Sequence, residues 1–397
     1  MNRMVRMDEY CSSVRDGTHD TPKPTSDGKY LVTSKAIHDN TVDFSSCYFI
    51  SQKDFDKINA RSKVDKWDVL MTMIGSVGRL LLVQNEPNYA IKNIALFKIG
   101  NEDKAKWLYF YLSNKPVQDY FEAVASGTSQ HFIGLGHLRK LKIADFNENS
   151  KKIVSILSAY DNLIENNNKR IKILEQMAEN LYKEWFVRFR FPGHETTPIE
   201  NGIPKGWDEK RLSDLIDVDP LLPIKKGIQV KSIPMEALST DSMIVDENCI
   251  QLVDNPSGSH SQNGDTLVAR ITPCLENGKT GFVQCLDDGE TATGSTEFIV
   301  LRSKELSPYY VYCFARSEFF RQTAILSMNG ADGRQRINVP KIKSMKITKP
   351  SNEIIKQFDS IAKPIFEEIY LLTKQNKNNI KQRDLLLPRL MSGKLAV

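Results

Sequence analysis

From Lys151 to Val187 the residues Ile153, Ile156, Tyr160, Leu163, Asn167, Ile171, Leu174, Ala178, Leu181 and Trp185 recur at alternating three- and four-residue steps, with a doubled four at Asn167 to Ile171. That is the a/d seam of a long helix packed on another helix. From Asn352 to about Leu390 a second stretch repeats the rhythm with Ile354, Phe358, Ile361, Ile365, Ile369, Leu372, Asn376, Ile380 and Leu387. Each seam carries a lone asparagine, Asn167 or Asn376, four residues before an isoleucine. A buried polar residue in an apolar seam costs stability but rejects slipped registers and wrong partners, so the pattern predicts that the two helices pair with each other. Pro364 and Pro388 are expected to kink or start the second helix at one point and to end it at the other. Ordinary core helices are the simpler alternative, but these usually stop well short of about thirty residues.

The rest of the chain has shorter periods. The opening segment mixes turn signals (Asp16-Gly17, Pro22, Pro24, Asp27-Gly28) with short apolar runs such as Tyr30-Leu31-Val32, which predicts short strands and long loops of a small α/β or mainly β domain. KWDVLMTMIGSVGRLLLV predicts two strands around a glycine turn at Gly75 and Gly78. WLYFYLSNKPVQDYFEAV is helical by period, SGTSQHF is a loop, and LRKLKI leads into the long helix.

After a Pro/Gly-punctuated linker, RFRFPGHETTPIENGIPKGWDEK, the sequence begins again. NGDTLVARITPCLENGKTGFV stands against KWDVLMTMIGSVGRLLLV, with Asp265 placed 197 positions after Asp68. STEFIVLR stands against NIALFKI, Ile347 against Ile143, and Gln335 against Gln130. This is an internal two-fold duplication. The expected architecture is α+β, with mixed α/β domains at 1–150 and 207–350, long helices at 151–188 and 351–397, and a linker at 189–206. If the helices pair antiparallel as a coiled coil, the two domains lie at opposite ends of a rod. A helix of about 35 residues at about 1.5 Å each is about 50 Å long, which matches about 15 base pairs of DNA at about 3.4 Å each.

A chain of 397 residues is too long for one core and suggests two or three domains. It has no run of about twenty apolar residues that would span a membrane, and its N-terminus lacks the apolar region of a signal peptide, which predicts a cytoplasmic protein. The cysteines Cys11, Cys47, Cys249, Cys274, Cys285 and Cys313 form no CxxC pair, so neither a zinc site nor a disulfide framework is expected. Net charge is +5. Its distribution says more, since Lys341, Lys343, Lys346 and Lys349 cluster beside Arg334 and Arg336, and Arg139, Lys140 and Lys142 hold the matching place in the first half. A phosphate-facing surface would look like this, as would a solvated rim.

The order DGTHDTPK, KWDVLMTMIGSVG, the loop with Ser126-Gly127-Thr128 and Gln130, SILSAYDNLIENNNKRIKILEQMAENLYKEWFVRFRFPG, IPKGWDEKRLSDL and LLLPRLMSGKL resembles the specificity subunit of Type I restriction-modification enzymes, over essentially the whole chain. The resemblance implies two target-recognition domains, each reading half of a bipartite site on double-stranded DNA. They would be joined by two helices that dock two methyltransferase subunits, with the restriction (motor and nuclease) subunits joining through those. It also implies that S-adenosylmethionine, ATP and Mg²⁺ sit on partner subunits. One departure is that the chain starts almost at MDEY, without a counterpart of Ile203-Pro204-Lys205-Gly206-Trp207, which leaves the packing of the first domain's N-terminal edge open.

Catalytic motifs are incomplete. Phe132-Ile133-Gly134-Leu135-Gly136 fits an FxGxG cofactor pattern, but no apolar strand precedes it and its repeat counterpart has no glycine. The companion motif with paired prolines is missing, since Glu86-Pro87-Asn88-Tyr89 lacks the second. Gly278-Lys279-Thr280 looks like the end of a P-loop, yet Pro273 stands where a glycine must offer its N–H. No His/Asp/Glu set has metal-ligand spacing. The chain therefore reads as non-catalytic, with a structural adaptor or a self-contained methyltransferase as rivals.

Base readout needs forked donors on loops that reach the major groove. Candidates in the first domain are Thr18, His19, Lys23, Arg79, Lys92, Asn93, Thr128, Gln130 and His131, and in the second Arg270, Lys279, Arg334, Gln335 and Arg336. For partner docking, Leu181, Trp185, Phe186 and Phe189, with Leu385, Leu386 and Leu390, supply more apolar surface than a two-stranded seam requires. Packing on the adjoining domain is the alternative role for them.

Overall fold

The computed structural model describes residues 3–397 except 39, 126–130, 225, 226, 228 and 331–333. The chain divides into two units, one made of Met1–Ile164 with Lys377–Val397 and the other of Glu165–Asn376. Each holds a share of both long helices.

In the first unit a four-stranded antiparallel sheet runs in the order Ser13–Asp16, Ile94–Lys98, Val69–Thr72, Leu80–Leu82. Its residues alternate between two apolar cores. Val69, Met71, Leu80, Leu82 and Phe97 face a core with Leu108, Leu112 and Phe121 from the helices Glu102–Ser113 and Lys115–Val124. Leu70, Leu81, Ile94 and Leu96 face another with Val32 and Ile37. Covering both faces is why these strands read as continuous apolar runs. The turn between Val69–Thr72 and Leu80–Leu82 uses Gly75 and Gly78 at φ of 76° and 89°, where only glycine is unstrained. A second sheet pairs Lys29–Val32 with Tyr48–Ile50 antiparallel and with Tyr89–Ile91 parallel.

The second unit repeats this. Its four-stranded sheet has the order Ile216–Val218, Phe298–Ser303, Thr266–Ala269, Thr280–Phe282, and its second sheet again contains a parallel pair, Val230–Ile233 with Ala292–Gly294. The likeness extends to single bonds. Asp68 is buried and bound to Lys98 at 2.6 Å, with the Asp65 N–H donating to it, and buried Asp265 is gripped by Arg302 at 2.6 Å, with the Gln262 N–H donating. The units differ where the first inserts the helix Gln52–Ser62 and the second instead adds the strand Ser259–Ser261.

The N-terminal edge left open by the sequence is built in both units. Met4–Arg6 pairs with Lys142–Ala144 as Asp208–Arg211 pairs with Lys346–Lys349, and the N–H groups of Met7 and Leu212 donate to Leu141 and Met345. The linker is packed as well, since Phe189 meets Trp207 edge to face and Phe191 lies tilted against it, at 5.5 and 4.9 Å between ring centres.

The long helices span Glu148–Tyr182, continued by a π-helical turn Lys183–Val187, and Asn352–Met391. Within each unit they run antiparallel. In the second unit Asn167 Nδ2 donates to Asn376 Oδ1 at 3.0 Å and Arg170 meets Glu368 at 2.6 Å, while in the first Arg383 meets Asp161 at 2.7 Å. The two asparagines therefore face each other.

Three seam assignments need correcting, because Leu163, Ile361 and Ile380 are 51%, 43% and 41% exposed. Burial goes instead to a second stripe on each helix. Val154 and Leu157 pack on Trp107 and Phe110, Tyr182 on Tyr310, and Phe366 on Phe282 and Tyr312. The second helix also neither starts at Pro364 nor ends at Pro388, and runs through both. Both prolines lie on the exposed side, where water can serve the carbonyl that each leaves unpaired.

Candidate nucleic-acid interface

The Asp16-Gly17-Thr18-His19 turn follows the edge strand Ser13–Asp16. Gly17 is required there, since an added Cβ would lie 2.3 Å from the Ile91 carbonyl oxygen. That close approach lets Thr18 N–H donate to Ile91 at 3.0 Å and Asn93 N–H donate back to Thr18 at 3.2 Å. Asn93 adopts φ of 55°, a left-handed conformation that asparagine tolerates. Its Oδ1 lies 2.8 Å from His19 Nδ1, and His19 Nε2 is 3.0 Å from Asp16 Oδ2. Arg61 holds the other Asp16 oxygen at 3.2 Å and donates to Gly17 O at 2.8 Å. Lys92 donates to Thr21 Oγ1, and Lys23 is exposed. Thr18, His19, Lys92 and Asn93 thus come together.

The other first-unit candidates lie elsewhere. Arg79 donates to His38 at 2.7 Å, and the His131 carbonyl accepts from Gly75 N–H at 2.9 Å. Thr128 and Gln130 fall outside the described residues. The FxGxG stretch turns into a six-residue helix, Leu135–Lys140, with Gly134 at its cap.

In the second unit Arg270, Gln335 and Arg336 come together. Ile337 N–H donates to Arg270 O and Thr272 N–H to Gln335 O, as Ile133 donates to Met73 and Gly75 to His131 in the first unit. This register corrects the repeat, because Gln335 stands where His131 does, not Gln130. Arg336 grips Glu297 through Nε and Nη2, at 2.9 and 2.6 Å, which holds that carboxyl below its ordinary range. Beside it a cavity of about 350 Å³ is lined by Arg270, His260, Ser259 and fully exposed Leu221. Arg334 is exposed, while Lys279 donates to the Met235 carbonyl at 3.1 Å.

Several clustered cations are tied up in the fold. Lys346 pairs with Glu209, Lys349 with Glu305, and Arg139 donates to Val14 O. Lys140, Lys142, Lys341 and Lys343 are exposed. Among the described residues no group of three His, Cys, Asp or Glu side chains is placed to hold a metal, and no helix is long and apolar enough to cross a membrane.

Residues 4–176 match the family described as Type I restriction modification DNA specificity domain. The chain is 25% identical to the Type I restriction enzyme MjaIX specificity subunit of Methanocaldococcus jannaschii, across 95% of this chain and 86% of that one. It is 24% identical to the Type I restriction enzyme HindI specificity subunit of Haemophilus influenzae, across 89% and 91%. Over most of its length, then, the chain is similar to Type I specificity subunits. Its fold is also that of the Type-I restriction-modification system S subunit from M. genitalium, with a TM-score of 0.56 at 14% identity over 98% of this chain and 95% of that one.

Most of the apolar residues assigned to docking in this chain are core residues. Trp185 and Phe186 are buried against Phe358, and Leu390 is buried beside Trp107. Leu181, Phe189 and Leu386 are half-buried on the same cores. Of the seven, Leu385 is exposed, and it is joined by Leu163, Ile173, Met177, Leu371 and Ile380 on the helices. Sequence reasoning missed Asp16, Arg61 and Glu297. Glu297 was accessible to it, because the 204-residue offset that relates Ile143 to Ile347 also relates Asn93 to Glu297.

Proposed function

We propose that this chain is the non-catalytic DNA-specificity subunit of a Type I restriction-modification complex, and that each unit reads one half of a bipartite site. The observation that carries this reading is the duplication. The same sheet order and the same buried Asp–cation pair are built twice, while the side chains on the equivalent loops differ. One scaffold used twice with different surface chemistry is what two unlike half-sites require. Exposed Lys23, Arg334, Lys341 and Lys343 would set affinity through phosphates, and the polar side chains of the loops would set sequence.

The exposed apolar residues of the helices, Leu163, Ile173, Met177, Leu371 and Leu385, are the surface this reading assigns to two methyltransferase subunits, with restriction subunits joining through them. S-adenosylmethionine, ATP and Mg²⁺ then belong to those partners. The test is a footprint of the chain in complex with its methyltransferase subunits at rising salt. A protected bipartite site whose log affinity falls linearly with log salt, by about 0.9 for each phosphate contacted, supports the reading. A complex that assembles but protects no sequence makes the chain an adaptor.

A further inference from the structure

Resting on that reading, we infer that Asn93 and Glu297 are the base-reading residues of equivalent positions in the two halves, and that Asn93 takes an adenine. Each residue immediately precedes the strand at the middle of its sheet, Ile94–Lys98 or Phe298–Ser303. The strand registers make them equivalent, because Phe97 pairs with Val69 as Leu301 pairs with Thr266. Each side chain is oriented by a neighbour on another segment. Asn93 Oδ1 accepts from His19 Nδ1, and His19 is itself backed by Asp16, which Arg61 holds. Glu297 accepts the Arg336 fork.

An amide that reads adenine must present its oxygen to N6–H and its amine to N7 at once. A freely rotating amide loses that distinction half of the time. The His19 contact takes one lone pair of Oδ1, leaves the second for N6–H, and fixes which edge carries Nδ2. The left-handed backbone at Asn93 restricts the position further, since few side chains other than asparagine, aspartate and glycine sit there without strain. His19 is then a positioning residue, and Asn93 is the one that touches the base. Glu297 offers only acceptors, so its half-site differs in chemistry even though the scaffold is shared.

The chain is co-produced with its methyltransferase subunit and methylated adenines are mapped across the host genome. Asn93→Asp keeps the backbone conformation but replaces a donor with an acceptor. It is expected to change one base pair of one half-motif from adenine toward cytosine, whose N4 amine a carboxylate accepts, by about 5- to 150-fold, and to leave the other half unchanged. Glu297→Gln is expected to alter the other half alone. His19→Ala is expected to relax the same base pair as Asn93→Asp, and His19→Gln, which retains a donor, to restore it. Wild-type half-motifs in Asn93→Asp, or the same motif methylated evenly less, would overturn the inference while leaving bipartite reading intact. A wild-type chain that directs no bipartite methylation would overturn both.

Discussion

The helix pairing rests on a polar contact whose worth can be measured. Asn167 and Asn376 are 5% and 8% exposed, and they share a hydrogen bond of 3.0 Å between apolar neighbours Ile171 and Leu372. Replacing Asn376 alone with leucine leaves the Asn167 amine with only a 3.5 Å contact to Gln375. An unsatisfied buried amide costs about 1–3 kcal/mol. Replacing both removes the unpaired group and adds apolar burial, so the double variant should be as stable as the parent or more so. The cycle Asn167→Leu, Asn376→Leu and both together should thus show a coupling of about 1–3 kcal/mol. Hydrogen exchange resolved to peptides of the seam reads this locally, without requiring the whole chain to unfold in one step. Protection of those peptides should fall about 5- to 150-fold in each single variant and return in the double. Single effects that add in the double to within about 0.5 kcal/mol would show that the asparagines do not depend on each other.

Other consequences can be checked on the same protein. Arg302→Met strands the buried Asp265 carboxylate, which is 1% exposed, and should destabilise the second unit by about 3–5 kcal/mol in urea unfolding; adding Asp265→Leu should recover most of it. An unchanged midpoint for Arg302→Met would contradict the buried-pair account. Burial pushes the Cys11 thiol up to about 12 and Cys285 up to about 11, and raises Cys313 further. Iodoacetamide at pH 8 should therefore label the half-buried Cys47, Cys249 and Cys274 well before those three, and early modification of Cys11 or Cys313 by mass spectrometry would count against their packing.

The parts of the fold that repeat were legible in the sequence, because a duplication checks itself. Asp68 and Asp265 stand 197 residues apart in the sequence and hold the same ion pair in the structure. The asparagine seam was legible for the same reason. What failed was the assumption that a long helix buries one stripe. Val154, Leu157, Tyr182 and Phe366 bury a second against their own domain, and Leu163, Ile361 and Ile380 are left exposed. Trp185 and Phe186 looked like surplus apolar surface because the aromatic partners that cover them, Phe358 and Tyr310, lie over a hundred residues away. The candidates His19, Lys92 and Asn93 could be picked from the sequence, since turn chemistry and forked polar groups are visible locally, and the structure brings them together. Their mutual geometry could not be read there, because it depends on the Gly17 to Ile91 approach and on Arg61, which comes from the helix Gln52–Ser62.

The most direct test of the central claim maps methylated adenines directed by the chain with one heptad removed from each helix, residues 168–174 and 369–375. That deletion keeps the Asn167–Asn376 pair and the period of the seam. Seven residues at about 1.5 Å amount to about 10 Å, or about three base pairs. The account predicts the same two half-motifs with a spacer shorter by about three base pairs. Unchanged spacing, or methylation without a bipartite motif in the undeleted chain, would contradict it.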